Sequence, residues 1–309
     1  MLKGLSITPP VIGRISIGKV VEKQGKRLPE KDDEFTVTSQ VQTKDGWVSH
    51  PVDETLRKTP TSKLRNIPVR LLFDDPDLNL RANYSLFDRQ SGRPLCVGNG
   101  VSCRRSTASG IQTLPCPSPE SCELAKGGYC KPYGRLNVRI GDEDELGSFV
   151  FRTTGFNSIR TLSARLKYFH AVSGGLLSTL PLELRLRGKS TTQSHRAPIY
   201  YVDLTIKTGM TMAEAIASAR NESEVRKASG FDQVALDEAA RQGFAEGAFE
   251  ESEEDGASVV EEFFPDEFET GSPVNLMGTG IKIGLADKLN HKAEKLNGAG
   301  ATGQRAMAN

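Results

Sequence analysis

Through most of the first 140 residues, apolar and polar positions alternate with the period of two that marks half-buried strands. Ile15, Ile17 and the Val20–Val21 pair predict a first strand, and the stretch FTVTSQV (Phe35–Val41) a second. From His50 to Asn66 the text is polar and carries Pro51 and Pro60, which predicts a loop or short helical turn. Val69, Leu71 and Phe73 then alternate toward one face, Asp74–Asp77 supplies a turn, and Asn79–Asp88 returns as the second arm of a hairpin. Leu136, Val138 and Ile140 define another strand, and the stretch GSFVFRTTGF (Gly147–Phe156) the next.

The period changes after Phe156. Ile159, Leu162, Leu166 and Phe169 recur at three- and four-residue spacing, predicting a helix with Asn157 or Ser158 as N-cap and Gly174–Gly175 as its stop. Strict alternation resumes at Leu182, Leu184 and Leu186, set against Glu183, Arg185 and Arg187, and Ala197–Gly209 forms a last strand. Thr211 with Glu214 three residues on is a capping box opening a second helix, and a shorter helix starts at Asp232. Strands come first and helices late, so the expected fold class is α+β, a mostly antiparallel sheet with one or two packed helices.

Charge divides the chain. Between Gln242 and Ile281 there is no Lys or Arg but eleven acids, so removing them from the net charge of +1 leaves about +12 on the remainder. The expected organisation is a globular domain over 1–240, an acidic flexible tail over 241–280, and a weakly structured basic end over 281–309. No apolar run approaches the roughly 20 residues of a membrane helix, and no signal peptide is visible before Pro9, so a cytoplasmic protein without membrane contact is expected.

All five cysteines lie between Cys96 and Cys130, separated by 6, 12, 5 and 7 residues. Gly98, Gly100, Gly110, Gly127, Gly128 and three prolines punctuate the same stretch, which predicts a turn-rich insertion with little apolar surface of its own. A tetrahedral metal bound by thiolates would hold such a loop, and Cys103, Cys116, Cys122 and Cys130 are the expected zinc ligands, with Cys96 as a possible substitute. An iron–sulfur cluster uses the same donors. Disulfides are the alternative, which the odd number of cysteines disfavours. With no histidine in the stretch, the site reads as structural instead of catalytic.

Between Arg152 and Lys189 there are seven basic residues against one acid, Glu183. If helix and strand present Arg152, Arg160, Lys167, Arg185, Arg187 and Lys189 together, the result is a basic patch for nucleic acid or a partner; a solvated charged face is the plainer explanation. Tyr168, Phe169, Tyr200 and Tyr201 would stack bases there or fill the core. In the acidic tail, Phe263, Phe264 and Phe268 interleave with carboxylates, a pattern suited either to docking on a basic groove of a partner or to covering the protein's own basic surface. His50, His170, His195 and His291 are scattered outside any catalytic motif. Asp142–Glu145 would hold Mg²⁺ as in a nuclease, but they sit in a tight turn between strands, for which a solvated acidic turn is the plainer explanation, and the glycines of MGTGIKIG follow no strand.

Phe151–Leu166, Leu180–Thr191 and Pro198–Thr211, together with Cys130–Val138, resemble recombination-directionality-factor-like proteins of phages and integrative elements. Relatives in that family also carry the label "hydrolase or metal-binding protein". The similarity spans about residues 1–265. It implies a protein that binds a serine integrase on DNA and turns recombination from integration toward excision, with no chemistry, small-molecule substrate or catalytic residue of its own. Direct DNA or RNA binding within a mobile element's replication or recombination module is the alternative function, and a metal-dependent hydrolase or nuclease the second.

Overall fold

A computed structural model of the chain describes residues 10–23, 26–43, 46–141, 147–190, 192, 196–247 and 259. Contacts divide the chain into two compact units, Met1–Glu269 and Thr270–Asn309, and every described residue belongs to the first. In chain order this unit contains β1 (Val11–Lys23), β2 (Lys26–Thr43), β3 (Gly46–Ser49), α1 (Pro51–Leu56), β4 (Asn66–Val69), α2 (Pro76–Asn79), β5 (Leu80–Phe87), β6 (Pro94–Gly98), β7 (Ser102–Thr107) and β8 (Gly110–Pro115). Then follow β9 (Lys131–Val138), β10 (Ser148–Thr153), α3 (Phe156–Ser173), β11 (Leu182–Ser190), β12 (Pro198–Ile206), α4 (Met212–Ala228) and α5 (Gln233–Gly247).

Nine strands form one sheet in the order β3-β2-β1-β10-β9-β5-β6-β7-β8, and three form a second, β12-β11-β4. Among the described residues only the β1–β10 pairing is parallel. The fold is therefore α+β and mostly antiparallel, as the periodicity predicts. One apolar core joins the two sheets: Ile15, Phe35, Val37, Leu136, Val138, Phe149 and Phe151 from the large sheet meet Ile67, Val69, Leu182, Leu184, Val202 and Leu204 from the small one. Leu162, Leu166 and Phe169 of α3 and Ala215 and Ala219 of α4 complete it. A Cβ on Gly134 would come 2.9 Å from Ile159 Cγ1, so the glycine lets α3 lie close on β9.

Helix termini follow the sequence in part. Thr211 and Glu214 form the reciprocal capping box, and Gly174 ends α3 in the left-handed conformation at φ 70°. The start of α3 differs: Gly155 is the N-cap and provides no side-chain bond. Ser158 instead accepts from the Val202 N–H at 3.1 Å on the edge strand β12, and Asn157 accepts from Lys189 Nζ at 2.7 Å. α5 continues past residue 240, the expected end of the globular domain.

Two expectations are corrected. The hairpin across Asp74–Asp77 does not form, because β4 lies in the small sheet and β5 in the large one. Asp75 caps the short helix α2, and the fully buried Asn79 fixes the crossing. Its Oδ1 accepts from the Leu72 and Phe73 N–H groups, both at 3.1 Å, while its Nδ2 donates to the Phe73 and Asp75 carbonyls at 2.7 and 2.9 Å. Alternating apolar residues cannot distinguish a strand that turns back from one that changes sheet. The cysteine stretch is likewise not a loop insertion: β6, β7 and β8 extend the large sheet as a meander, and Gly100 and Gly110 take positive φ at its two turns.

Replacing Asn79 with Ala strips four backbone groups of their partner. We expect Asn79→Ala to lower the unfolding free energy by about 3 kcal/mol in urea titration. An unchanged midpoint would mean that Asn79 does not hold the crossing.

Candidate functional site

The five cysteines meet at the far edge of the large sheet. Cys96 on β6 pairs with Arg105 on β7, and Gly98 pairs with Cys103. A Cβ on Gly98 would sit 2.7 Å from Cys103 Cβ and 2.9 Å from Cys116 Sγ, so the missing side chain is what admits both cysteines. Cys122 lies between two 3-10 turns, Pro119–Ser121 and Glu123–Ala125, that fold the chain back before β9. All five thiols are free. Burial pushes the Cys130 thiol up to about 12, and the charges of Cys96, Cys116, Cys122 and Cys103 add to the shift. Cys103 is raised by burial and by its hydrogen bond with Cys96. Arg105 bonds Cys96 and reaches Cys103 Sγ at 3.9 Å, bringing one positive charge into the cluster.

The donor chemistry suits a soft, thiolate-binding metal. Among the described residues, however, no three His, Cys, Asp or Glu side chains are set for ligation. Cys96, left over by spacing, belongs to the same cluster as the other four.

The predicted basic residues divide among three settings. Arg152 lies on β10 in the large sheet, away from the others. Arg185, Arg187 and Lys189 lie on β11, whose neighbour β12 packs against α3, so helix and small sheet do come together, but two of the three cations are spent on buried carboxylates. Arg185 pairs with Glu183, and Arg187 pairs at 3.2 Å with Asp203, which also takes Arg165 at 2.9 Å. Desolvation drives the Glu183 carboxyl up, but bonds from the Thr208 N–H and from Arg185 outweigh it and hold the group below its ordinary value. The charges on this face thus serve largely to join β11, β12 and α3. Lys189 is bound to Asn157 and lies 5.9 Å from the Tyr201 ring.

What remains open is the outer side of α3. Arg160 and Lys167 are exposed and make no ion pair among the described residues. Between and beside them run Phe156 (57% exposed), Tyr168 (51%) and Val172 (37%). With Arg160 and Ala164, these side chains form an unbroken i, i+4 stripe from residue 156 to residue 172. Phe169, by contrast, is core. The sequence carries this signal as a second, sparser apolar stripe opposite Ile159–Phe169, interrupted by the basic residues of the same face. Exposed aromatics alternating with cations on a rigid helix are the composition of a docking surface.

Other candidates fall outside the described residues: Phe263, Phe264 and Phe268 of the acidic tail, Asp142–Glu145, His195, His291 and the late glycine stretch. His50 is partly buried, caps α1 by accepting from the Val52 N–H, and packs edge-on against Phe149. Among the described residues no helix is long and apolar enough to cross a membrane.

Comparison with known proteins gives one family. No curated protein and no solved structure matches the chain. A family profile described as "Gp3-like: Recombination directionality factor-like" matches residues 12–207, a span running from β1 through β12 that includes the thiol cluster and the whole of α3. The matched span is well over half of the 309 residues, and the chain accordingly belongs to the Gp3-like, recombination-directionality-factor-like family.

Proposed function

We propose that the protein is an accessory factor of a phage or other mobile element that binds a serine integrase on DNA and favours excision. The family match across both sheets and α3 carries this reading. Its mechanism is differential binding: a factor that contacts one synaptic arrangement of the integrase better than another shifts their populations by that difference, and a shift of a few kcal/mol suffices. The outer stripe of α3 is the contact, with Phe156 and Tyr168 as apolar anchors and Arg160 and Lys167 giving charge complementarity.

The test is a recombination assay with the integrase of the element that encodes this protein and a substrate bearing the two hybrid attachment sites. Excision product is expected only when the protein is added. Tyr168→Ala and Arg160→Ala should each reduce product about tenfold at limiting protein, a loss of about 1.4 kcal/mol of binding, with thermal unfolding unchanged. Active integrase that ignores the protein would overturn the reading.

The thiol cluster supports a second proposal, a structural zinc held by Cys103, Cys116, Cys122 and Cys130, with Cys96 able to substitute. Five thiols gathered beside one guanidinium, with Cys103 and Cys130 raised by burial, favour a bound cation that would stabilise the thiolate forms. An iron–sulfur cluster would satisfy the same donors and would colour the purified protein. Native mass spectrometry should find one zinc per chain, released on thiol titration. A metal-free chain with five freely reactive thiols would leave β6–β8 to be held by strand pairing and Arg105 alone.

A further inference from the structure

The face of the small sheet turned away from the core gathers cations around one buried carboxylate. Register pairs Arg185 with Asp203, Arg187 with Tyr201 and Lys189 with Ile199 across β11 and β12, so these side chains share the face opposite Leu184, Leu186 and Val202. Asp203 is 3% exposed and fully engaged. Its Oδ1 accepts from Arg165 Nε and from the Leu204 N–H, both at 2.9 Å, and its Oδ2 accepts from Arg187 Nε at 3.2 Å. Both arginines are therefore held through Nε. Neither guanidinium makes another hydrogen bond among the described residues, and the two side chains remain 44% and 41% exposed. A pairing that used the whole fork would leave little over; this one fixes two forks side by side with their Nη ends unspent.

Charge and spacing identify the ligand. Arg165, Arg185, Arg187 and Lys189 face Glu183 and Asp203, four cations against two carboxylates, which leaves two positive charges in excess. Arg185 is bound to Glu183 and Thr208 and contributes charge alone. Arg187 and Lys189 stand at alternate positions of an extended strand, about 6.8 Å apart. A duplex strand carries one phosphate per about 3.4 Å of axis, so it meets such a run repeatedly, as an isolated carboxylate does not. The planar fork also matches a pair of phosphate oxygens. The bond to Asp203 raises the Arg165 guanidinium above its ordinary value against the cost of burial, and Tyr168 and Tyr201 are close enough to add to the shift. Tyr168 belongs to the outer stripe of α3, so an anion bound here lies beside that stripe.

We propose that Arg165 and Arg187, aimed by Asp203, clamp a backbone phosphate of DNA, with Lys189 serving the next phosphate along. Asp203 is the positioning residue. The clamp goes beyond the integrase contact by adding a DNA contact next to it. Two or three phosphates are too few to hold DNA firmly at physiological salt, so the clamp acts on DNA that the integrase already presents.

Anisotropy of a labelled hybrid-site duplex carrying integrase, titrated with this protein at several salt concentrations, tests the clamp. Arg165→Gln and Arg187→Gln should each weaken entry into the complex about fivefold and lower the slope of log affinity against log salt by about 1. Capture of the protein by integrase without DNA should stay unchanged. Asp203→Asn adds one positive charge, so bulk attraction expects tighter entry and an aimed clamp weaker entry. Dicarbonyl labelling of arginines in the unaltered chain gives a readout independent of how the variants fold. Arg187 should be protected by integrase with DNA and not by integrase alone. Unchanged affinity and slope in both glutamine variants would overturn the proposal. Protection of Arg187 by integrase alone would assign the clamp to a protein carboxylate and overturn it equally. If the unaltered chain does not bind integrase, the regulator reading fails by itself; the clamp is then read on the duplex alone at low salt, where the same loss is expected and its absence overturns the clamp.

Discussion

β9 must be buried on both faces, and much of the structure follows from that constraint. It lies between β10 and β5 near the middle of nine strands, where Leu136 and Val138 are fully or almost fully excluded from solvent on one side and Tyr133 and Asn137 on the other. The first side is satisfied by ordinary means: the small sheet and α3 bring leucines, valines and phenylalanines against it, with Gly134 permitting close approach. The second side alternates polar and charged residues, so covering it demands partners for arginines as well as apolar contact. Phe244 lies against Arg81, and Val259 packs with Phe87 and Tyr133 on the same side. α5 and Val259 thereby belong to the energetics of the central sheet.

The same separation of roles applies to the small sheet. Glu183 and Asp203 are buried carboxylates whose partners, Arg185, Arg187 and Arg165, come from β11 and α3. The Arg165–Asp203 pair orients α3 against β12, assisted by Ser158 on the strand edge. Orientation of this kind leaves the outside of the helix rigid and free, and a rigid helix face with aromatic anchors loses little entropy on binding. A regulator acting through contact alone gains from such a face.

Sequence periodicity made the local elements legible wherever one face was apolar and the other polar. α3 from Ile159 to Phe169, β11 from Leu182 to Leu186, and the Thr211–Glu214 box all stand as the text implies. It could not make legible what depends on distant partners. Nothing local tells that Asn79 sends β5 into a different sheet from β4, or that Arg81, Arg135 and Arg152 fall into one row. Glycines and prolines between cysteines marked hairpin turns, and the strands between them were too short and polar to be seen. The clustering of cysteines was plain in the text; their convergence with Arg105 required the pairing of β6 with β7. Among the predicted basic residues, Arg160 and Lys167 remain available, while Arg185 and Arg187 are occupied by acids that the text placed nearby without showing how deeply they are buried.

The central claim is that this protein acts by binding an integrase–DNA complex. The most direct measurement is electrophoretic mobility of hybrid-site DNA with integrase alone, with this protein alone, and with both. The account expects a further retarded complex only when both proteins are present. Equal retardation of DNA by this protein alone, steeply weakened by salt, would contradict it and point to direct nucleic-acid binding as the function.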